Sequence, residues 1–285
     1  MQTQGAAFQQ HIHVFRGIAI LLIVCAHTVP SLDWSAHPLL GRVIDAVANE
    51  SSIFFFFIAG YLFQHLSTRF KFERYLVQKL KTVILPYLIL SIPAIIIFVL
   101  IVERVGMWPW FYDLPAWQKA LMFLLTGKHL APLWFVPTIS LFYLAAPLFV
   151  WIDRRFVRGY WAVLPLLVLS AWLGRDGTHG PLDKAIYLLP VYLLGMVVSH
   201  FKDEALQLIR RWWMLLAAVA FVSLMADVWD LPDPPYYQVP MKAALALLMT
   251  RLLWWRHSVF GTRLDYIADI SFGIFFVHAY MLDPV

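Results

Sequence analysis

The sequence predicts an all-α membrane protein, a polytopic bundle of transmembrane helices. Apolar residues make up 61% of its 285 residues and charged residues only 14%, whereas soluble domains contain about 45–50% and about 25%. Its 13 tryptophans are typical of the aromatic belts at membrane surfaces. Because apolar runs continue to the end of the sequence, we expect a single integral-membrane domain over residues 1–285.

Apolar segments of spanning length predict about nine transmembrane helices. They lie near residues 13–31, 42–65, 82–102, 133–152, 160–174, 184–200, 212–229, 239–255 and 266–282. The segment 116–127 is too short to cross a bilayer and follows a cluster of aromatic residues. We therefore expect it to form an interfacial helix and do not count it as a span.

The charged residues predict the orientation of these helices. Lysines and arginines are concentrated in alternate loops, at 69–81, 154–158, 202–211 and 251–263. The intervening loops hold most of the acids, including Asp113, Asp176, Asp230 and Asp233. By the positive-inside rule, the N-terminus is predicted to be cytoplasmic. The net charge of +5 is thus explained by topology and is not evidence of nucleic-acid binding.

Arg16 and His27 are the most informative pair of residues in the sequence. They lie in the first predicted span and are eleven residues apart, which places them on one helix face about 16 Å apart along the axis. Ionisable groups inside spans usually face a protein interior and serve a function. Two structural alternatives stay open: Arg16 could anchor the helix among lipid headgroups, and His27 could be a hydrogen-bonding residue of the bundle.

Five segments, taken in order, resemble the membrane acyltransferase-3 family. The spacing of Arg16 and His27 is similar to the family's signature of an arginine, ten residues and a histidine. The other matching segments are its Phe-rich stretch (Phe54–Phe63, with Ala59 where a serine is usual), its basic loop (Tyr75–Tyr87), its Leu-Trp-Phe-Leu-Pro element (Leu133–Pro137) and its last conserved span (Ile270–His278). The family typically has ten spans, so the resemblance implies that a helix after Asp283–Val285 is missing from this sequence.

The resemblance implies an enzyme that transfers an acyl group, usually acetyl, from acyl-CoA to a hydroxyl group. The acceptor would be a sugar of a surface polysaccharide or of a lipid-linked glycan, and the location the bacterial inner membrane. A basic cytoplasmic face would attract anionic acyl-CoA. Arg16 would contact the donor, and the His27 imidazole would move the proton as a general base. The ten histidines and the single Cys25 have no metal-ligand spacing, so no metal is expected.

Further polar and aromatic residues are site candidates, and each has a structural alternative. Glu50 could orient His27 or contact the acceptor, or it could hold two helices together. Arg74, Lys79 and Lys81 could bind the phosphates of CoA, or they could only determine topology. The substrate candidates, which could equally be packing or interfacial residues, are Trp134, Tyr61, Tyr143, Ser271 and His278.

Two other functions remain possible from the sequence. Intramembrane Arg, His and Glu residues also occur in proton-coupled transporters and flippases. Against this, the sequence contains no convincing internal repeat and predicts no pair of broken helices. A non-catalytic scaffold in a polysaccharide assembly complex is the third possibility. The ordered set of motifs favours acyl transfer.

Overall fold

The computed structural model describes residues 2–174, 180–231 and 235–282, with residues 2–9, 235–236, 257–258, 260–263 and 282 described by their backbone alone. All regular elements in these ranges are helical, and the predicted all-α class is confirmed. The α-helices are α1 (Gln2–Thr28), α2 (Pro38–Ala48), α3 (Ser52–Leu66), α4 (Phe72–Lys79), α5 (Leu85–Ile96), α6 (Ala116–Thr126), α7 (Phe135–Arg155), α8 (Val163–Leu173), α9 (Pro181–His200), α10 (Lys202–Val228), α11 (Pro235–Asp269) and α12 (Ser271–Leu282).

The helices support a multi-pass membrane protein. Within the described ranges, five helices are long and apolar enough to cross a bilayer, and up to seven spans result if each of two bent helix pairs is one span. The predicted number of nine therefore stays a prediction, as does the orientation. Some residues on which those predictions rest lie outside the described part of the chain, namely Asp176, Asp233 and Asp283–Val285.

Two bent helix pairs correct the expectation that the protein has no broken helices. Helix Ala116–Thr126 and the stretch Ala131–Leu144 meet at an angle of 71°. The stretches Ala146–Arg155 and Val157–Leu173 meet at 113°. The predicted helix at 116–127 is therefore present, but together with its neighbour it has the composition of a broken span or a re-entrant loop.

The last two predicted spans are helical but differ from ordinary spans. Segment 239–255 lies within α11, where Lys242, Arg251 and Arg256 interrupt the apolar sequence. Segment 266–282 is divided at Ile270 between the end of α11 and α12. With 12 residues, α12 is about 18 Å long, shorter than the hydrocarbon core of about 30 Å.

The described chain divides into two compact units. The first contains α1–α3, α8, α10 and α11, together with α9 from Ile186 and α12 up to Ile274. In this unit α11 packs against α1 and α10 over long stretches and also contacts α3 and α8. Helix α11 is therefore the central element of the first unit.

The second unit contains α4–α7, the start of α9 and the end of α12 from Phe275. Here α5 packs against α6, and α7 packs against α4 and α6. Tyr87 on α5 donates a hydrogen bond to the Leu124 carbonyl of α6 over 2.8 Å. The buried His129 ring lies 2.9 Å from Ser91 Oγ, so polar side chains connect α5 with the segment that follows α6.

Glycines allow α3 and α9 to approach each other closely in the first unit. A methyl group added at Gly60 would overlap the backbone carbonyl oxygen of Tyr192, and one at Gly195 would overlap that of Phe57. Small residues at such crossings let membrane helices pack backbone to backbone. This contact explains why glycine stands directly before Tyr61.

We expect Gly60→Ala to destabilise the protein by about 1–3 kcal/mol, because the added methyl group meets rigid backbone. Gly273→Ala is the matched control, since a methyl group at Gly273 meets no atom within 4 Å. The measurement is thermal unfolding of the detergent-solubilised variants. Equal melting temperatures for the two variants would contradict the close packing of α3 and α9.

Candidate active site

Arg16 and His27 lie on one unbroken helix, α1. The predicted spacing is therefore kept, with about three helical turns between the two side chains. Both side chains are half-buried. His27 is thus not fully buried in the protein, and its catalytic role stays a prediction.

Arg16 binds the end of α11. Its Nη2 donates a hydrogen bond to the Ala268 carbonyl over 2.7 Å, and the Ser271 hydroxyl donates to the same oxygen over 2.7 Å. The last four carbonyls of a helix lack partners within that helix. The structure therefore brings together two predicted site residues, Arg16 and Ser271, on a carbonyl that needs donors.

The remaining environment of Arg16 leaves capacity for an anion. Arg16 Nη2 lies 3.3 Å from His13 Nδ1, and His13 Nε2 lies 3.2 Å from the Asp269 carboxylate. Among the residues whose side chains are described, Arg16 Nε is buried and has no hydrogen-bond partner. A guanidinium group has five N–H donors in a planar fork, so the contact of Arg16 with the Ala268 carbonyl uses only part of its donor capacity.

Glu50 lies at a break in the second predicted span. Residues 49–51 separate α2 from α3, and Glu50 adopts a left-handed conformation with φ of 50°. Its carboxylate accepts a hydrogen bond from the Tyr187 hydroxyl of α9 over 2.7 Å. The Tyr187 side chain is buried. The pairing of Glu50 with His27 stays a prediction.

Lys242 is a fully buried cation beside this break. The residue has 0% exposure, and its ammonium group donates hydrogen bonds to the Val47 carbonyl and, over 3.4 Å, to the Ala46 carbonyl. Both carbonyls belong to the last turn of α2, where partners within the helix are lacking. Lys242 therefore caps the end of α2.

Three carboxylates balance the charge of Lys242, which interacts electrostatically with Glu50, Asp227 and Asp45. Gln238 extends the cluster through a 2.9 Å hydrogen bond from Nε2 to the Asp227 carboxylate. A buried charge is tolerated only with such partners. The sequence did not predict this cluster, although a lysine within the predicted span 239–255 was the available signal.

An open cleft of about 510 Å³ begins immediately after α1. Its first wall residue, Val29, is two residues beyond His27. Tryptophan, proline and charged side chains line the cleft, among them Pro30, Trp34, Pro38, Arg42 and Asp45. Asp45 also takes part in the Lys242 cluster, so the cleft and the buried cluster share a residue.

Tyr61 lies deeper in the first unit. It is 1% exposed and its ring packs edge-on against the His11 ring at 5.9 Å between centroids. The His11 ring in turn contacts the Trp254 ring at 5.0 Å. These contacts favour the packing alternative for Tyr61.

The predicted phosphate-binding residues lie in the second unit. Arg74 and Lys81 are exposed, whereas Lys79 is half-buried. The Lys79 ammonium group lies 5.4 Å from the Tyr75 ring centroid and 5.1 Å from that of Tyr143. Lys79 and Tyr143 therefore form a cation–π contact, a pairing that the sequence did not predict.

Trp134 and His278, the other substrate candidates, also belong to the second unit. The buried Lys184 places its ammonium group 5.0 Å from the Trp134 ring centroid. The His278 ring is 4% exposed and lies 5.9 Å from the Phe275 ring. Both positions are consistent with helix packing, and their substrate roles stay predictions.

A comparison with protein families decides the class of the protein. The family model described as an acyltransferase domain, acyltransferase-3, matches residues 10–285. The chain belongs to the acyltransferase-3 family. Searches of curated proteins and of solved structures gave no match. The resemblance seen in the sequence is thus confirmed over almost the whole chain, and membership of this family supports an acyltransferase activity.

Within the described residues, no three His, Cys, Asp or Glu side chains are grouped to hold a metal.

We expect Lys242→Met to destabilise this acyltransferase by about 3–5 kcal/mol, because removal of one member leaves buried carboxylates and carbonyls without their cation. The double variant Lys242→Met/Asp227→Asn should recover part of the loss. Thermal unfolding in lipid nanodiscs measures both effects. Lys71→Met, at an exposed lysine, is the control and should unfold like the wild type. Wild-type stability of Lys242→Met would show that the buried cluster is not a stabilising element.

Proposed function

We propose that the protein transfers an acyl group, most simply acetyl, from acyl-CoA to a sugar hydroxyl of a surface polysaccharide or lipid-linked glycan. His27 acts as the general base, and Arg16 binds the donor. The observation that carries this proposal is the unbroken helix α1, which presents a half-buried imidazole about three turns from a guanidinium group with unused donor capacity.

The proposed reaction requires one residue that both accepts and returns a proton. His27 takes the proton of the sugar hydroxyl as its oxygen attacks the thioester carbonyl carbon. The carbon–sulfur bond then breaks, and the imidazolium returns the proton to the departing thiolate. The products are the sugar ester and free CoA, without an acyl-enzyme intermediate.

Cations in each of the two units are candidates for contacts with the donor. Arg16 uses Nη2 to bind the Ala268 carbonyl, and the other N–H donors of its guanidinium group are the candidates for a contact with a phosphate oxygen or with the start of the pantetheine arm. The exposed Arg74 and Lys81 would attract the anionic donor to the protein surface. The half-buried Lys79 is the remaining candidate for a CoA-phosphate contact.

The proposed location is the bacterial inner membrane, with the N-terminus in the cytoplasm. The loops rich in lysine and arginine would then face the compartment that supplies acyl-CoA. Arg16 would lie near the cytoplasmic end of the predicted span 13–31, and His27 nearer the outer leaflet. The acyl group would thus travel along α1 before it meets the acceptor.

Proton-coupled transport is the second candidate function, and one observation favours it. The bent pairs at 71° and 113° are interruptions of the type found around transporter binding sites. Uptake of a solute into liposomes that contain the protein, without transfer of label from acyl-CoA, would support this candidate.

We expect His27→Ala to lower the transfer rate by about a hundredfold to ten-thousandfold, because the general base is lost. CoA binding should stay close to that of the wild type, since His27 lies away from the proposed phosphate contacts. The assay follows radiolabelled acetyl-CoA and a membrane extract containing surface-glycan acceptors. His65→Ala, at a half-buried histidine of α3, is the matched control. Substantial activity in His27→Ala would refute the mechanism.

We expect Arg16→Ala to weaken CoA binding by about tenfold to a hundredfold, the value of one charge-assisted hydrogen bond. Arg16→Lys should bind with intermediate affinity, because it keeps the charge but has fewer donors. Arg210→Ala removes an exposed cation of α10 and serves as the control. Isothermal titration with CoA measures the affinities, and unchanged binding in Arg16→Ala would exclude Arg16 from the donor site.

A further inference from the structure

The cleft after α1 has an aromatic wall held in a fixed position. The Trp34 indole N–H donates a hydrogen bond to the Val29 carbonyl over 2.9 Å. The Trp34 side chain also packs directly against Gly41, where an added methyl group would come within 2.6 Å of Trp34 Cγ. Hydrogen bonding and packing thus both orient the Trp34 ring, which lines the cleft.

A hydrogen-bond donor, Arg42, and a hydrogen-bond acceptor, Asp45, line the same cleft as Trp34. Arg42 lines the cleft, its side chain is 57% exposed, and its guanidinium lies 3.4 Å from the Asp230 carboxylate. Such an exposed pair is weak, so Arg42 can turn to a ligand at low cost. Asp45 also lines the cleft and is half-buried.

Lys242 supports the acidic side of the cleft. Its buried ammonium group interacts electrostatically with the Asp45 carboxylate, a hydrogen-bond acceptor that lines the cleft. Because Lys242 also holds the last turn of α2 through the Val47 carbonyl, it fixes the helix from which Arg42 and Asp45 project.

We propose that this cleft binds the acceptor sugar, with the sugar ring on Trp34 and its hydroxyl groups hydrogen-bonded to Asp45 and Arg42. A sugar offers an apolar C–H face and hydroxyl groups that both donate and accept, which is what an aromatic ring, a carboxylate and a guanidinium can bind. The cleft volume of about 510 Å³ lies within the usual range for small-ligand sites, about 300–1,000 Å³. The choice of a sugar as the ligand rests on the proposed function.

The position of the cleft suits this role. Its wall begins at Val29, whereas His27 lies in the last turn of α1. A sugar bound in the cleft is therefore adjacent to the turn that carries the proposed general base. Arg16 is about three turns away along α1, so the proposed donor and acceptor contacts lie at different levels of the helix.

The test measures sugar binding without chemistry. Wild-type protein and His27→Ala in lipid nanodiscs are mixed with methyl glycosides of glucose, mannose, rhamnose and N-acetylglucosamine, and saturation-transfer NMR reports binding. At least one glycoside should bind both proteins. Trp34→Ala should weaken this binding about tenfold, and Trp34→Phe should recover part of it.

Two further variants keep the test sensitive to the geometry. Gly41→Ala retains Trp34 but pushes its ring, and should weaken glycoside binding as well. Trp172→Ala removes an exposed tryptophan of α8 that does not line the cleft, and should bind like the wild type.

The outcomes separate this inference from the proposed function. Glycoside binding that needs Trp34, in a protein with no transfer from acyl-CoA, would retain the sugar site and refute the acyltransferase mechanism. Acyl transfer with an acceptor KM that is unchanged in Trp34→Ala and Gly41→Ala would overturn the sugar site alone. Absence of binding by all four glycosides would also overturn it.

Discussion

The first unit depends on hydrogen bonds from two cationic side chains to carbonyls at helix ends. Arg16 binds the Ala268 carbonyl at the end of α11, and Lys242, near the start of α11, binds the Val47 carbonyl at the end of α2. In a lipid bilayer an unpaired carbonyl costs several kcal/mol, and no water replaces the missing donor. These two contacts therefore allow α2 and α11 to end where the chain must turn.

The same two contacts place polar groups where the candidate chemistry needs them. The end of α11 brings Ser271 to Arg16, and the end of α2 brings Glu50 to Tyr187 and to the charge of Lys242. Lys242 and Ala268, whose carbonyl binds Arg16, are 26 positions apart on α11, about 39 Å along an α-helix axis. Since the hydrocarbon core is about 30 Å thick, each contact can lie near one surface of the bilayer.

The sequence predicted those features that depend on local periodicity. The all-α class, the helix that carries Arg16 and His27, and the helical character of each predicted span all follow from apolar run length and 3.6-residue spacing. The break at residues 49–51 was missed, because three polar residues inside an apolar run can be a polar patch or the end of a helix. The partners of Arg16 and Lys242 could not be predicted, because every residue has a main-chain carbonyl and the sequence does not show which of them accepts a hydrogen bond.

This use of main-chain acceptors has a consequence for how the protein can vary in evolution. A salt bridge between two side chains can be lost or exchanged through either residue, so its two positions tend to change together. The oxygens that hold Arg16 and Lys242 persist whatever side chain replaces Ala268 or Val47. Selection for these contacts therefore acts on the cation alone, and pairwise covariation would not reveal them.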